Sequence, residues 1–504
     1  MLEIKNISVR LSKNDRIIID GLNFTLHSGD KAVIIGEEGN GKSTLLKLIY
    51  DEELALSYCQ FAGEVVKKGR LAYLPQSFPG DCLDISVADY FAKTELHLHI
   101  QMLSRLGLTL DFLSSLQKIR TLSGGEKIKI QLAKILISQP DIILLDEPTN
   151  DIDLETLDWL ESFINLCNQP ILYVSHDETL IENTANMIIH IEQLSRKTKC
   201  KVTVTKSGYA EYVKARNLAF GKQMQIAKKQ RSDHKAQMER WQQVYNRVDH
   251  EQRTISRQDP AGGKLLKKKM KSVKSTGKRL ENQAEDFLDI PETETAILIK
   301  FPPEIVVPNG KQVLSLSLPG LFVGEKRLSK SIELDVNGPQ HIGLIGKNGV
   351  GKSTLLKEIW LALKIRKDIR AAYMPQDYAD VLDFGISAVD FLAADSHKNT
   401  LTKVQTYLGS MKFTRDEMLG KIACLSGGQK AKVLFLDMLL KGANVLVLDE
   451  PTRNFSPLSS PEIRRTLNDF GGTIISISHD RKYLSEVCNK VYELTGEGLS
   501  AWNK

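Results

Sequence analysis

Lys42 and Ser43 close the run Gly36-Glu37-Glu38-Gly39-Asn40-Gly41-Lys42-Ser43-Thr44, which follows an apolar stretch, Lys31 to Ile35, and precedes a helical pattern, Leu45 to Ile49. Glycines at that spacing let backbone N–H groups curl around phosphate oxygens, and the following helix adds its positive end. In such a P-loop the lysine meets the β- and γ-phosphates and the next hydroxyl ligates Mg2+. The run returns as Gly346-Lys347-Asn348-Gly349-Val350-Gly351-Lys352-Ser353-Thr354, with the two lysines 310 residues apart. Only the first copy carries acids, Glu37 and Glu38, inside the loop. Backbone groups do the cradling, so phosphate binding is expected to survive there in weakened form.

Ile142-Ile143-Leu144-Leu145-Asp146-Glu147 and Val445 to Glu450 read as buried strands that each end in two acids. Asp146 and Asp449 suit a Mg2+ ion, directly or through water, and Glu147 and Glu450 suit the general base that takes a proton from an attacking water. Gln76 and Gln376, each after a proline, are candidates for contact with the metal or that water. His176 and His479, each in Ser-His-Asp, are candidates for sensing the γ-phosphate. Singly, each of the four would be an ordinary polar residue; matched spacing singles them out. Ser123 to Glu147 and Ser426 to Glu450 are both 24 residues, and glutamate to histidine is 29 in both copies. Ser123-Gly124-Gly125 and Ser426-Gly427-Gly428 each open another helical pattern, a second anion-binding N-terminus. Each P-loop already holds a phosphate in its own copy, so these signatures are expected to serve the opposite one.

The elements that must position these groups are strands feeding loops and helices, an α/β unit present twice, over 1–205 and 293–504. The intervening 206–292 differs in composition. From Lys222 to Glu281, 17 Lys/Arg stand against 6 Asp/Glu, a net +11, although the whole chain is only +6, so the chain's net positive charge comes from this segment. Met238, Trp241, Tyr245 and Val248 step by threes and fours, as do Leu266, Met270, Val273, Leu280 and Ala284, with Gly277 in the gap. These are heptad seams. Asp259-Pro260-Ala261-Gly262-Gly263 between them carries a strong turn signal. The expectation is an antiparallel helical hairpin with basic outer faces, its second helix, Lys264 to Asp289, about 39 Å long.

Hydrophobic residues make up 42% and charged residues 26%, the composition of a soluble globular chain. Apolar stretches such as Val445 to Leu448 fall far short of the ~18 residues of a membrane span. The N-terminus alternates like a strand and lacks the pattern of a secretory signal. Cys59, Cys82, Cys167, Cys200, Cys424 and Cys488 show no metal-ligand spacing, so reduced thiols and a cytoplasmic location are expected.

P-loop, glutamine, Leu-Ser-Gly-Gly signature, acidic pair and histidine, in this order and twice, resemble the ATP-binding cassette. That resemblance implies an α/β fold of two P-loop cassettes joined by the helical hairpin, with two composite ATP and Mg2+ sites formed head to tail within one monomer. One site would use Gly36, Gly39, Gly41, Lys42, Ser43, Thr44, Gln76, Asp146, Glu147 and His176 with Ser426, Gly427 and Gly428. The other would use Gly346, Gly349, Gly351, Lys352, Ser353, Thr354, Gln376, Asp449, Glu450 and His479 with Ser123, Gly124 and Gly125. In both, the serine, aspartate and glutamine would be the metal contacts.

Paired cassettes, no membrane domain and a long basic linker resemble the ABC-F branch, whose members act on the ribosome. The wording Asp449-Glu450-Pro451-Thr452-Arg453-Asn454-Phe455-Ser456-Pro457 and the linker tip Ser256 to Pro260 are similar to the antibiotic-resistance members of the Vga/Lsa type. That likeness implies an ATPase that binds the 70S ribosome near its exit site. Its linker would approach rRNA and P-site tRNA and dislodge lincosamides, pleuromutilins and streptogramin A. Arg257, Asp259, Pro260, Lys264, Lys267, Lys268 and Lys269 would make that approach. The alternatives are a housekeeping translation factor with the same chemistry and the soluble motor of a drug exporter. Two departures stand out: Ser456 where the first copy has Asp153, and no adenine-stacking aromatic around Leu11 to Ile17, against Phe322 in the second copy.

Overall fold

Period-two alternation places Leu2, Ile4, Ile7 and Val9 on one buried face of β1 (Leu2–Leu11), and the count slips by one at Asn6, which bulges with φ of 49°. The computed structural model describes residues 1–504 apart from 14, 93, 195–197, 255–259, 286, 289, 292–300, 394–397 and 503–504. β1 lies between β2 (Ile17–Leu26) and β4 (Cys59–Lys67) in an antiparallel sheet. Behind it stands a six-stranded sheet in the order β5-β6-β7-β3-β8-β9. Its strands are β3 (Lys31–Ile35), β5 (Leu71–Leu74), β6 (Ile142–Asp146), β7 (Ile171–Val174), β8 (Met187–Leu194) and β9 (Lys199–Thr205), and only β9 runs antiparallel.

β3, β6 and β7 are buried at every residue, which is why they read as unbroken apolar runs. The P-loop follows β3 and the acidic pair follows β6, so both stand at carboxyl ends of parallel strands, where α/β sheets bind ligands. Helices α1 (Lys42–Tyr50), α2 (Gly124–Ile137), α3 (Leu154–Leu166) and α4 (Glu178–Thr184) carry the other motifs. α2 starts with a capping box in which Ser123 and Glu126 satisfy each other's backbone N–H. Its inner face, Ile130 and Ala133, packs on Val87, Phe91, Leu103 and Leu113.

A separate unit, Ala210–Thr293, holds the hairpin of α5 (Tyr209–Thr254) and α6 (Pro260–Glu285). His234 pairs with Leu280 O, Trp241 Nε1 donates to Val273 O at 2.8 Å, and Lys269 reaches Glu251 at 3.4 Å, so the helices run antiparallel. Val248, Met270, Gly277 and Leu280 are buried in the seam, while Lys264, Lys267, Lys268, Lys269, Lys271, Lys274 and Lys278 are exposed. The turn expected over residues 259–263 is corrected over its last four residues. Pro260 to Gly263 form the first turn of α6, because proline at the start of a helix forfeits only an N–H that has no partner there. Arg257 and Asp259 lie outside the described residues.

The second repeat has the same plan. β10 (Gln312–Leu318) pairs with β13 (Ile332–Asn337), and β11 (Leu321–Val323) with β12 (Lys326–Ser329). The main sheet runs β15-β16-β17-β14-β18-β19, from β14 (His341–Ile345), β15 (Ala371–Met374), β16 (Val445–Asp449), β17 (Thr473–Ile477), β18 (Lys490–Thr495) and β19 (Gly498–Ala501). Its helices include α7 (Lys352–Lys364), α8 (Gly427–Leu440), α9 (Ser460–Asn468) and α10 (Arg481–Glu486). Both repeats belong to one compact unit, Met1–Tyr209 with Glu294–Lys504.

Candidate active sites between the repeats

Each P-loop needs glycine first at its entry. Gly36 and Gly346 both adopt φ of 147°, and a Cβ there would fall 2.4 Å from Ile191 O and 2.5 Å from Leu494 O. No other residue fits the strand exit. Lys42 is buried and donates to Gly36 O at 2.9 Å and Glu37 O at 3.1 Å; Lys352 does the same with Gly346 O at 2.7 Å and Lys347 O at 3.1 Å. Each ammonium thus bridges its own loop and holds the loop's shape.

The hydroxyl after the lysine meets the first acid of the pair. Ser43 Oγ donates to Asp146 Oδ1 at 2.8 Å, and Ser353 bonds Asp449. Tyr73 adds a second bond, from its hydroxyl to Asp146 Oδ2 at 3.0 Å. Burial raises the pKa of Asp146 and Asp449, and these hydrogen bonds oppose the rise. Tyr73 was legible in principle, since a tyrosine stands three residues before Gln76 and Gln376 alike.

The second acid of each pair sits at a left-handed backbone, φ 50° at Glu147 and 51° at Glu450, strained for a residue with a side chain. Their surroundings differ. Glu147 Oε1 lies 2.9 Å from His176 Nε2, whose Nδ1 faces Phe455 O of the other repeat at 2.9 Å. Burial pushes Glu147 upward, but His176 and Lys42 outweigh it and leave its pKa below the usual value. Glu450 is 3.7 Å from His479 Nε2, and burial beside Asp449 lifts it to about 8. Burial, then the Lys352 charge, lowers His479 to about 4.

The signatures face the opposite loops. A cavity of about 850 Å³ is lined by Ser123, Gly124 and Glu126 of the first repeat and by Gly349, Gly351, Lys352, Ser353, Thr354, Gln376, Asp449, Glu450 and His479 of the second. A smaller one, about 260 Å³, is lined by Gly39, Gly41, Lys42, Ser43, Thr44, Gln76, Glu147 and His176 with Arg453 and Asn454. Ser426 and Gly428 line a separate space of about 40 Å³ with Glu37 and Glu38. Gly125 and Gly427 lie beside them in the first turns of α2 and α8. Of the aromatic candidates, Phe322 is half exposed and set against Arg327, and the wall of the large cavity is instead Val323, Lys326 and Leu328.

Contacts across the interface include groups given no role by the motifs. Arg453 Nη2 pairs with Asp151 Oδ1 at 3.0 Å, Asn348 Nδ2 donates to Asp151 O at 2.6 Å, and Asn348 N–H reaches Asp153 Oδ2 at 3.4 Å. The family model for the ABC transporter matches residues 19–150 and 329–453, just over half the chain. The chain belongs to the ABC transporter family. With membership come ATP binding and hydrolysis as the family's general activity.

Similar cassette proteins span nearly the whole chain. The ATP-binding protein Uup of Buchnera aphidicola subsp. Schizaphis graminum is 28% identical, covering 99% of this chain and 81% of its own length. ABC transporter F family member 5 of Arabidopsis thaliana is 24% identical, covering 97% and 75%. Among solved structures, an archaeal ribosome recycling factor, aABCE1, in complex with the ribosomal stalk protein aP1, superposes with a TM-score of 0.60 at 17% identity, covering 98% of this chain and 89% of that one. At that identity the likeness speaks for the two-cassette fold. Among the described residues no helix is long and apolar enough to cross a membrane.

Proposed function

We propose that the chain is an ABC-F ATPase that binds the ribosome with ATP in place and protects it by dislodging drugs from the peptidyl-transferase centre through its hairpin. The working parts in this reading are cassettes 1–205 and 293–504 and the hairpin 206–292. One observation carries it: apolar residues of α5 and α6 face each other, which leaves Lys264, Lys267, Lys268, Lys269, Lys271, Lys274 and Lys278 outward on α6. A row of lysines held on a rigid helix suits phosphate backbones, which dominate nucleic-acid affinity, and A-form RNA is bound through shape and backbone. Pro260 would stand at the approaching end with Arg257 and Asp259. Relatives named for the F family, and the ribosome recycling factor of like fold, agree in direction.

In the cassettes, loop N–H groups with Lys42 or Lys352 would hold the phosphates. The facing signature, Ser426 to Gly428 or Ser123 to Gly125, would close on the γ-phosphate. Glu147 or Glu450 would accept the proton of the water that attacks phosphorus, while His176 or His479 orients that carboxylate. Mg2+ fits the oxygen donors present, Ser43 with Asp146 and Ser353 with Asp449, aided by Gln76 and Gln376, since this ion keeps several waters and takes phosphate oxygens rather than a full protein cage. When bound it would neutralise charge between the β- and γ-phosphates.

The test is cosedimentation with ribosomes of a Glu147→Gln, Glu450→Gln double variant. Trapping that needs ATP is expected; indifference to ribosomes with every nucleotide refutes ribosome binding. Expression in a drug-sensitive host then reads the finer role. Raised inhibitory concentrations of lincosamides, pleuromutilins or streptogramin A support protection. Unchanged values assign the chain to a housekeeping role in translation.

A further inference from the structure

The acids inside the first P-loop stand where the second loop has Lys347 and Asn348, and they point across the interface. Glu38 Oε2 accepts from Gly428 N–H at 2.8 Å, so its carboxylate sits in the first turn of α8, a helix of 14 residues. Glu37 Oε1 stands 4.0 Å from Lys432 Nζ, further along the same helix. The seat is tight: a Cβ on Gly427 would meet Glu38 Oε2 at 3.0 Å and Asn454 Cγ at 3.1 Å. Glu38 also lines both the 260 Å³ and the 40 Å³ spaces, so it stands between the first P-loop and the second signature. At the other interface Asn348 turns to Asp151 O, and loop and signature share one cavity of about 850 Å³.

This inference rests on the reading that each signature completes the opposite nucleotide site. On that reading the N-terminus of α8 is the place of the γ-phosphate in the first site. We propose that Glu38 is a resident anion in the γ-phosphate subsite, and that it sets how well the first site tells ATP from ADP. Carboxylate and γ-phosphate want the same helix N-terminus, and both are negative. ATP must move Glu38 out before the site closes, and the displaced carboxylate then lies near the phosphate that replaced it. ADP has no γ-phosphate and leaves the contact in place. The two acids in this loop therefore act on the partner cassette's helix as well as on their own ligand.

The experiment uses the full chain carrying Lys352→Ala to silence the second site, with fluorescent ATP and ADP analogues titrated in the presence of Mg2+. Glu38→Asn, which copies the second loop, is expected to tighten ATP binding about tenfold, equal to about 1.4 kcal/mol, and to change ADP binding less than twofold. Glu38→Gln, which keeps the length and drops the charge, should move in the same direction by less. An unchanged ATP affinity, or equal gains for ATP and ADP, overturns the proposal, since relief of crowding alone favours both nucleotides. Lys42→Ala in the same background identifies the site being read. Loss of binding there shows that the titration reports the first site. Retained binding overturns the nucleotide reading itself, a failure distinct from that of Glu38. Matching thermal melts for the Glu38 variants show that a change in affinity is not a change in folding.

Discussion

Arg464 is the most exacting place to perturb the cassette interface. Its side chain is 3% exposed, with Nη2 2.8 Å from Glu178 Oε2 of the first cassette and Nε 2.7 Å from Glu486 Oε2 of its own. Burial lowers its pKa, yet Glu486 and Glu178 outweigh burial and leave it raised. Glu178 is 11% exposed and also takes Lys482 Nζ at 3.0 Å. Removing one partner of a buried pair typically costs about 3–5 kcal/mol, much of it the charge left behind. Arg464→Met strands Glu178 only in part, because Lys482 remains, and Glu486 is 49% exposed and can be solvated. The loss should therefore fall near the lower bound, about 3 kcal/mol.

The assay is a double-mutant cycle on the first unfolding transition in urea, with Arg464→Met, Glu178→Gln and the pair. If the two residues act on each other, the double variant loses less than the sum of the singles by at least about 1.5 kcal/mol, because neither stranded charge is left. The coupling should persist in 1 M NaCl, where the Debye length is only about 3 Å, because little solvent reaches the pair. The more exposed contact of Lys482 with Glu182 should lose its coupling in the same salt. Additive single losses, or a coupling that salt abolishes, would refute the claim that a buried ion pair fastens the cassettes.

Two further changes test the packing elsewhere. Gly277→Ala should destabilise the hairpin by about 1–3 kcal/mol despite alanine's better helix propensity, because its Cβ would meet Trp241 Cζ2 at 2.6 Å while the indole is held by Val273 O. A helical circular-dichroism melt of the full chain would read that loss, and an unchanged or raised midpoint counts against the seam. Burial first, opposed by the Leu180 N–H and by Arg481, lifts Asp177 from 3.8 to about 6. Its ionisation thus weakens the fold as pH rises from 3.8 through 6. Asp177→Asn, which can still cap α4, should be neutral at pH 3.5 and stabilising at pH 7, on the order of 3 kcal/mol. Equal melting shifts at both pH values would contradict this.

Motif residues were legible because phosphate chemistry fixes residue type and backbone shape together. Glycine at 36 and 346 is demanded by a carbonyl within 2.5 Å of any Cβ, and an acid pair at a strand end needs an apolar run before it. The hairpin seam was legible for the same reason, since period alone decides which side chains meet. What the sequence did not display are contacts between distant residues: Glu38 with Gly428 and Arg464 with Glu178 depend on how two finished domains dock, and docking leaves no local pattern. The start of α6 was misread because Pro and Gly signal turns in mid-chain but are tolerated in a helix's first turn, where the backbone N–H groups have no partners. Phe322 shows the converse, an aromatic that the second copy offers upstream of its P-loop and whose face is taken by Arg327.

The departures between the copies bear on one site. Asp153 caps α3 through Thr156 and reaches Asn348 N–H of the second P-loop, so the aspartate serves the roomy site. Its counterpart Ser456 is buried and pairs with Ser459 inside its own cassette, and so offers no carboxylate to the first P-loop. That loop also carries Glu38, seated on the opposing helix, and its His176 is tied at one nitrogen to Glu147 and at the other to Phe455 O of the facing cassette. At the second site His479 stands 3.7 Å from Glu450, and its Nδ1 has no partner among the described residues. Both loops touch the facing cassette, the second through Asn348 on Asp151 and Asp153, but only the first sets a carboxylate on the facing signature helix, while the second shares an open cavity with its signature. On the proposed nucleotide reading that difference predicts unequal sites, even though each cassette keeps its P-loop lysine, its acidic pair and its histidine.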